Sequence, residues 1–210
     1  MALKQLVIMQ KRTEQGSLSA SLHDQPFNPA YICYMPEAAA FIDRIKSAYT
    51  KEELPAKTLL VREGASARKL YYIDKGCCRC WFNNDGTDVT FQFLFEGSFA
   101  SSLETMTSGA PSWYSIETLE PTVAYSVPIE RFRNAQENNP LAKASYLQYI
   151  EQGLMHFQQL FVAHIKDSPE KRYRELLANH PEIIRRIPQH YIASFLGITS
   201  VSLSRIRNRK

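Results

Sequence analysis

A single glycine, Gly197, separates two apolar runs in the stretch QHYIASFLGITSVSLSRIRNRK that spans residues 189–210. This arrangement constrains the fold more tightly than any other part of the chain. Ile192, Leu196, Ile198, Leu203 and Ile206 recur where two crossing helices must each bury one face, and small Ala193 stands at the point of closest approach. Glycine enters the left-handed backbone region without steric cost, so its position predicts the corner of a helix-turn-helix. Thr199 is placed to cap the second helix.

With Leu203 and Ile206 turned inward, Ser200, Val201, Ser204, Arg205 and Asn208 point away from the partner helix at spacings of three and four. Those are the side chains a major groove would meet. Arg205, Arg207, Arg209 and Lys210 supply more positive charge than a helix dipole requires at its C-terminus. The charge is also unevenly spread. Residues 168–210 carry nine Lys or Arg against three Asp or Glu, a net of +6, while the rest of the chain is −2. A polyanion meets the C-terminal end first, so the expected partner is double-stranded DNA.

A hydrophobic content of 44% with 22% charged residues is ordinary for a globular protein, and 210 residues suffice for one large or two modest domains. The apolar run Leu6–Met9 is too short for a spanning helix or a signal-peptide core, so no membrane partner and a cytoplasmic location are expected. Of the four cysteines, three crowd into CCRC. On a strand, Cys78 and Cys80 share one face and Cys77 takes the other, so they cannot converge on one metal ion. They read as strand thiols, with a redox-sensing role as the alternative, and no metal site is predicted.

Residues 1–36 show no sustained apolar period and are expected to form a loosely packed arm. EAAAFIDRIKSAY then has the spacing of a short amphipathic helix. Residues 57–126 change texture to short apolar or alternating runs, TLLV, KLYYID, CRCWF, DVTFQFLF, YSIETL and VAYSV, punctuated by turns. Such strands without intervening helices predict an antiparallel β sandwich or roll, with a hairpin turn at Asn84, Asp85 and Gly86. Beyond Pro128 the period is helical again. A short helix precedes Pro140, and residues 141–166 continue without proline. Tyr146, Ile150, Leu154, Phe157, Phe161 and Ile165 form a stripe on this long helix that one small roll cannot cover, so a second copy of the chain is expected against it. Ser168 and Pro169 start a support helix whose buried face is expected to be Tyr173, Leu176 and Leu177.

The fold class is therefore α+β, divided into the arm (1–36), a β-roll domain (37–140), a dimerisation helix (141–166) and an all-α helix-turn-helix domain (167–210). This order, with LLVREG, LYYIDKG, the stretch EGSFASSLETMTSGAPSWYSIETLEPT and the closing GITSVSLSRIR, resembles the Crp/Fnr family of bacterial transcription regulators, and its Bacteroidetes branch in particular. The resemblance implies a homodimer, a roll like a cyclic-nucleotide-binding domain, and a recognition helix that reads a palindromic operator, with RNA polymerase as a candidate partner.

Family members that bind cyclic AMP carry a Gly-Glu-Leu and an Arg-Ser or Arg-Thr at two turns of the roll. Here the matching positions hold Ser101, Ser102 and Leu103, then Ser112 and Trp113. Both charged contacts are absent, which predicts that cyclic AMP is not the effector. Another small molecule is left to a pocket of Phe99, Ser101, Ser102, Ser112 and Trp113; no cofactor is predicted. His156 and His164, the positions from which a haem ligand could come, read instead as solvated helix residues. The N-terminal cysteine cluster that holds iron and sulfur in the family's oxygen-sensing branch is missing, Cys33 standing alone before the roll. Most relatives continue past the recognition helix into a β-hairpin wing; no wing is expected here, and Arg207, Arg209 and Lys210 are expected to take over its phosphate contacts. Arg205 is the expected base reader.

An enzyme of the double-stranded-roll type needs two or three histidines with a carboxylate inside the roll. His23, His156, His164, His180 and His190 all lie outside residues 57–126, so no catalytic residue is assigned. The remaining alternative is a ligand-binding or scaffolding module whose terminal helices contact protein.

Overall fold

The computed structural model describes residues 49–209. The N-terminal arm, all but the last residue of the helix expected after Pro36, Cys33 and Lys210 lie outside them. Eight strands form two four-stranded sheets: β1 (Thr50–Leu54), β8 (Thr122–Pro128), β3 (Lys69–Lys75) and β6 (Phe99–Ala100) in one, and β2 (Leu59–Val61), β7 (Ser115–Thr118), β4 (Cys78–Asn84) and β5 (Thr87–Leu94) in the other. The pairings are antiparallel. The expected hairpin joins β4 to β5. Asn84 pairs with Thr87, leaving Asp85 and Gly86 as a two-residue loop with φ of 50° and 86°. A positive φ at both positions suits the twist of the flanking strands, which is why an Asp-Gly pair stands there.

Strand β3 buries four residues in a row, Leu70 to Ile73, instead of alternating. Both faces of the sheet are covered at this strand. Ile73, wholly buried, belongs to the core that Cys78, Cys80, Ile116 and Ala124 share. Tyr72 on the other face stacks edge-on with Phe99 at 5.5 Å, and Phe99 with Tyr149 of the long helix at 5.2 Å. Cys77, Cys78 and Cys80 are all buried. Burial, reinforced by the Glu120 charge, pushes the Cys77 thiol up to about 12, so it is unreactive at neutral pH.

Helix α1 (Leu103–Ser108) interrupts the strands, and α2 (Ile129–Glu137) and α3 (Pro140–Lys166) follow them. At 27 residues, α3 is about 40 Å long. Its Leu154, Phe157, Phe161 and Ile165 are exposed, as are Leu147, Met155 and Val162 beside them. Tyr146 departs from the expected stripe: its ring packs on Phe132 of the same chain at 5.5 Å. The opposite face of α3 buries His156, Leu160 and Ala163. His156 is thus not the solvated residue the sequence suggests. Neither of its ring nitrogens has a hydrogen-bond partner among the described residues, and burial, assisted by His180, pushes its pKa down to about 4.

Four helices close the chain: α4 (Pro169–Asn179), α5 (Pro181–Arg186), α6 (Gln189–Phe195) and α7 (Ser200–Asn208). Ser168 caps α4 by accepting from the Lys171 amide, with Pro169 at the first turn, as expected. Tyr173 and Leu176 are buried, but Leu177 is 47% exposed. Arg172 takes the inward place. It donates to the carbonyls of His164 (3.2 Å), Asp167 (2.6 Å) and Leu196 (2.7 Å), tying the end of α3 to the end of α6. These are helix-terminal carbonyls that no intrahelical donor reaches, which is why a buried guanidinium is tolerated there.

Candidate nucleic-acid interface

Helices α6 and α7 cross over Ile192, Ala193, Leu196 and Leu203, each 1% exposed. Ile198 and Ile206 pack at the margin of this core. Gly197 forms the corner with φ +69°. Its amide donates to the Ser194 carbonyl at 2.9 Å, and the next amide, of Ile198, reaches the Ala193 carbonyl at 3.0 Å. Thr199 caps α7, its Oγ1 accepting from the Ser202 amide at 3.2 Å.

With that inner face consumed, Ser200, Val201, Ser204, Arg205, Arg207 and Asn208 are all exposed, Val201 at 62%. Val201, Ser204, Arg205 and Asn208 fall at i, i+3, i+4 and i+7, which is one face of the helix. Arg205 and Arg207 form no ion pair among the described residues, so their guanidinium groups are available to phosphate or base edges. Arg209 is different. Its Nη1 lies 3.0 Å from Glu170 Oε2, so one of the three cations expected to substitute for a wing is engaged by the support helix.

The expected effector residues do not converge. Trp113 is 76% exposed and Phe99 faces α3. Ser101 donates its hydroxyl to the Lys69 carbonyl at 3.0 Å. Ser102 is fully buried and caps α1, accepting from the Thr105 amide. Ser112 donates to the Tyr114 carbonyl at 2.7 Å. Between the two turns lies Tyr114, whose hydroxyl donates to the Ser101 carbonyl at 3.1 Å and whose ring meets Phe91 edge-on at 5.2 Å. Sequence reasoning missed this aromatic fill, although Phe82, Phe91 and Tyr114 all lie in the strand runs it identified. It also missed a cleft of about 380 Å³ lined by Leu59, Val61, Arg62, Arg68 and Tyr71 among others.

Residues 51–139 match the cyclic nucleotide-binding domain family. Several of the solved structures that resemble the arrangement are described as regulators. CLP, the c-di-GMP responsive global regulator of Xanthomonas campestris, superposes with a TM-score of 0.64 at 17% identity, covering 80% of this chain and 89% of its own. FixK2 of Bradyrhizobium japonicum gives 0.64 at 16%, covering 76% and 82%. This chain has the Crp/Fnr fold. A Eubacterium rectale protein described as a Crp/Fnr-family transcriptional regulator shares that fold with a TM-score of 0.62 at 14% identity, covering 87% and 86%. No curated protein sequence matches the chain. Among the described residues, no helix is long and apolar enough to cross a membrane.

Proposed function

We propose that the chain is a sequence-specific transcription regulator that binds a palindromic DNA operator as a homodimer in the cytoplasm and does not respond to cyclic AMP. One observation carries this reading: α7 buries Leu203 against α6 while its opposite face, with Arg205 and Arg207 in no ion pair among the described residues, is exposed. An arginine on such a face can take guanine O6 and N7 bidentately, and Ser200, Val201, Ser204 and Asn208 surround it. Thr199, Arg207 and Lys210 are assigned to the phosphates, Arg209 being held by Glu170.

In this division of labour residues 37–140 sense, 141–166 pair and 167–210 bind DNA. The exposed apolar side chains of α3 support pairing, since Leu154, Phe157, Phe161 and Ile165 stand uncovered on one helix. Ser102 and Ser112 bring no charge to a cyclic phosphate, and Tyr114 fills the space between their turns, which supports the exclusion of cyclic AMP. RNA polymerase is the candidate partner once DNA is bound.

Selection of bound duplexes from a randomised pool tests the reading. Enrichment of an inverted repeat whose binding weakens steeply with salt is expected. Salt-insensitive or absent binding would assign the terminal helices to a protein partner instead.

A further inference from the structure

The helix-turn-helix domain does not hang free of the roll. Ser194 of α6 accepts from the Thr90 amide at 2.9 Å and donates to the Asp88 carbonyl at 3.2 Å. Phe195 lies 5.3 Å from the Phe93 ring. Arg79 of β4, only 3% exposed, is held by Glu117 at 2.6 Å and Asp88 at 2.9 Å, and the Tyr191 ring of α6 closes over it at 4.1 Å.

A second anchor comes from α5. Arg186 donates to both oxygens of Glu96, at 2.8 and 3.0 Å, and to Glu120. Glu96 is itself fixed by the Gly76 amide at 2.9 Å. Burial alone would raise the Glu96 pKa, yet the Arg186 hydrogen bonds hold it below the ordinary carboxylate value. A planar guanidinium that meets a carboxylate bidentately fixes orientation as well as distance. Two helices are therefore pinned to the roll, α6 through Tyr191, Ser194 and Phe195 and α5 through Arg186, and none of these contacts covers the exposed face of α7.

A contact that leaves the recognition face open while fixing its direction has a geometric consequence in a dimer. We propose that docking of α5 and α6 on the roll sets the half-site spacing that the dimer accepts, with Arg186 and Ser194 as determinants of that specificity. This rests on the reading above, in which two copies pair along α3 and each offers one α7 to DNA. Each added base pair turns the second half-site by about 35° and moves it by about 3.4 Å. A rigidly held helix cannot follow such a displacement, because base hydrogen bonds tolerate only a few tenths of an ångström. A loosened one can.

The test uses the full chain and duplexes bearing the inverted repeat that it selects from a randomised pool, with the spacer changed by one and two base pairs, and single half-sites as controls. The wild-type chain is expected to lose about tenfold or more in affinity for each single-base-pair change, several kinds of base contact being lost together. Arg186→Gln should lower affinity for the optimal spacing by about three- to tenfold and bring the altered spacings within about threefold of it, with half-site affinity unchanged. Ser194→Ala, distant from the ion pair, should flatten the profile in the same sense and carries the test if Arg186→Gln proves unstable on melting. Either variant retaining the wild-type spacing profile while folded would overturn the proposal. So would a rise in affinity at every spacing, which would make the docked state inhibitory. If the wild-type chain selects no inverted repeat, the regulator reading fails first and this inference with it.

Discussion

Ser112 donates its hydroxyl proton to the carbonyl of Tyr114 at 2.7 Å and accepts the Tyr114 amide at 3.3 Å, so the side chain is closed onto its own turn. It stands where the Crp/Fnr resemblance places a phosphate-binding guanidinium. Ser102, at the ribose-binding position, is likewise spent on capping α1. Cyclic AMP at millimolar concentration should therefore raise the melting temperature by less than about 1 °C, since a ligand stabilises only in proportion to its affinity for the native state. A shift of several degrees would contradict the exclusion.

Replacing Arg205 by alanine should relax sequence preference at one position of each half-site, at a cost of about 1–3 kcal/mol for the preferred base. Arg207→Ala should instead weaken all duplexes alike and reduce the salt slope by about one unit per site. Binding measured on the selected duplex, on single-position variants of it and on random duplex distinguishes the two. Equal losses on specific and random DNA for Arg205→Ala would remove it as a base reader.

The corner is expected to be sensitive for a reason that is purely conformational. A Cβ added at Gly197 would meet nothing within 4 Å, but the positive φ there costs an L-residue roughly 1–2 kcal/mol. Gly197→Ala should accordingly lower the melting temperature by a few degrees, and Gly197→Asn by less. Thr199→Ala, which removes the α7 cap, should cost about 1 kcal/mol. No change for either alanine variant would mean that α7 is not held in the observed way.

Acid should loosen the junction between α3 and the helix-turn-helix unit. His156 has a native pKa of about 4 against an ordinary 6.5, so below pH 6.5 the unfolded chain binds a proton that the native state refuses. The resulting loss of stability grows as pH falls from about 6.5 towards 4, by at most about 1.4 kcal/mol per unit, and then levels off. Denaturation across that range should show a shallower slope for His156→Leu than for the wild type. Identical slopes would show that the histidine is not buried in solution.

The parts of this structure that are legible in the sequence answer local backbone demands. Gly197, Thr199 and Ser168 each meet a requirement set within a few residues, and Asp85 with Gly86 does the same for the β4–β5 hairpin. What is not legible depends on which surfaces meet. Nothing near His156 in sequence announces that it is buried beside the His180 corner. Arg79 lies in a strand whose outer face looks solvent-exposed until α6 is laid upon it, and Trp113 looks like a pocket residue until its turn is seen to point outward. Helix α5 is too short, at six residues, for its periodicity to declare itself. Leu177 has the spacing of a buried residue, but the buried face of α4 is turned towards Arg172, Tyr173 and Leu176 because Arg172 satisfies carbonyls there.

Salt-dependent binding of the purified full chain to duplexes selected from a randomised pool tests the DNA-binding role most directly. The expected result is a defined inverted repeat whose affinity falls about a hundredfold between about 50 and about 200 mM salt, the loss that four phosphate contacts would give. Failure to retain any duplex at the lower salt, or retention indifferent to salt, would contradict it.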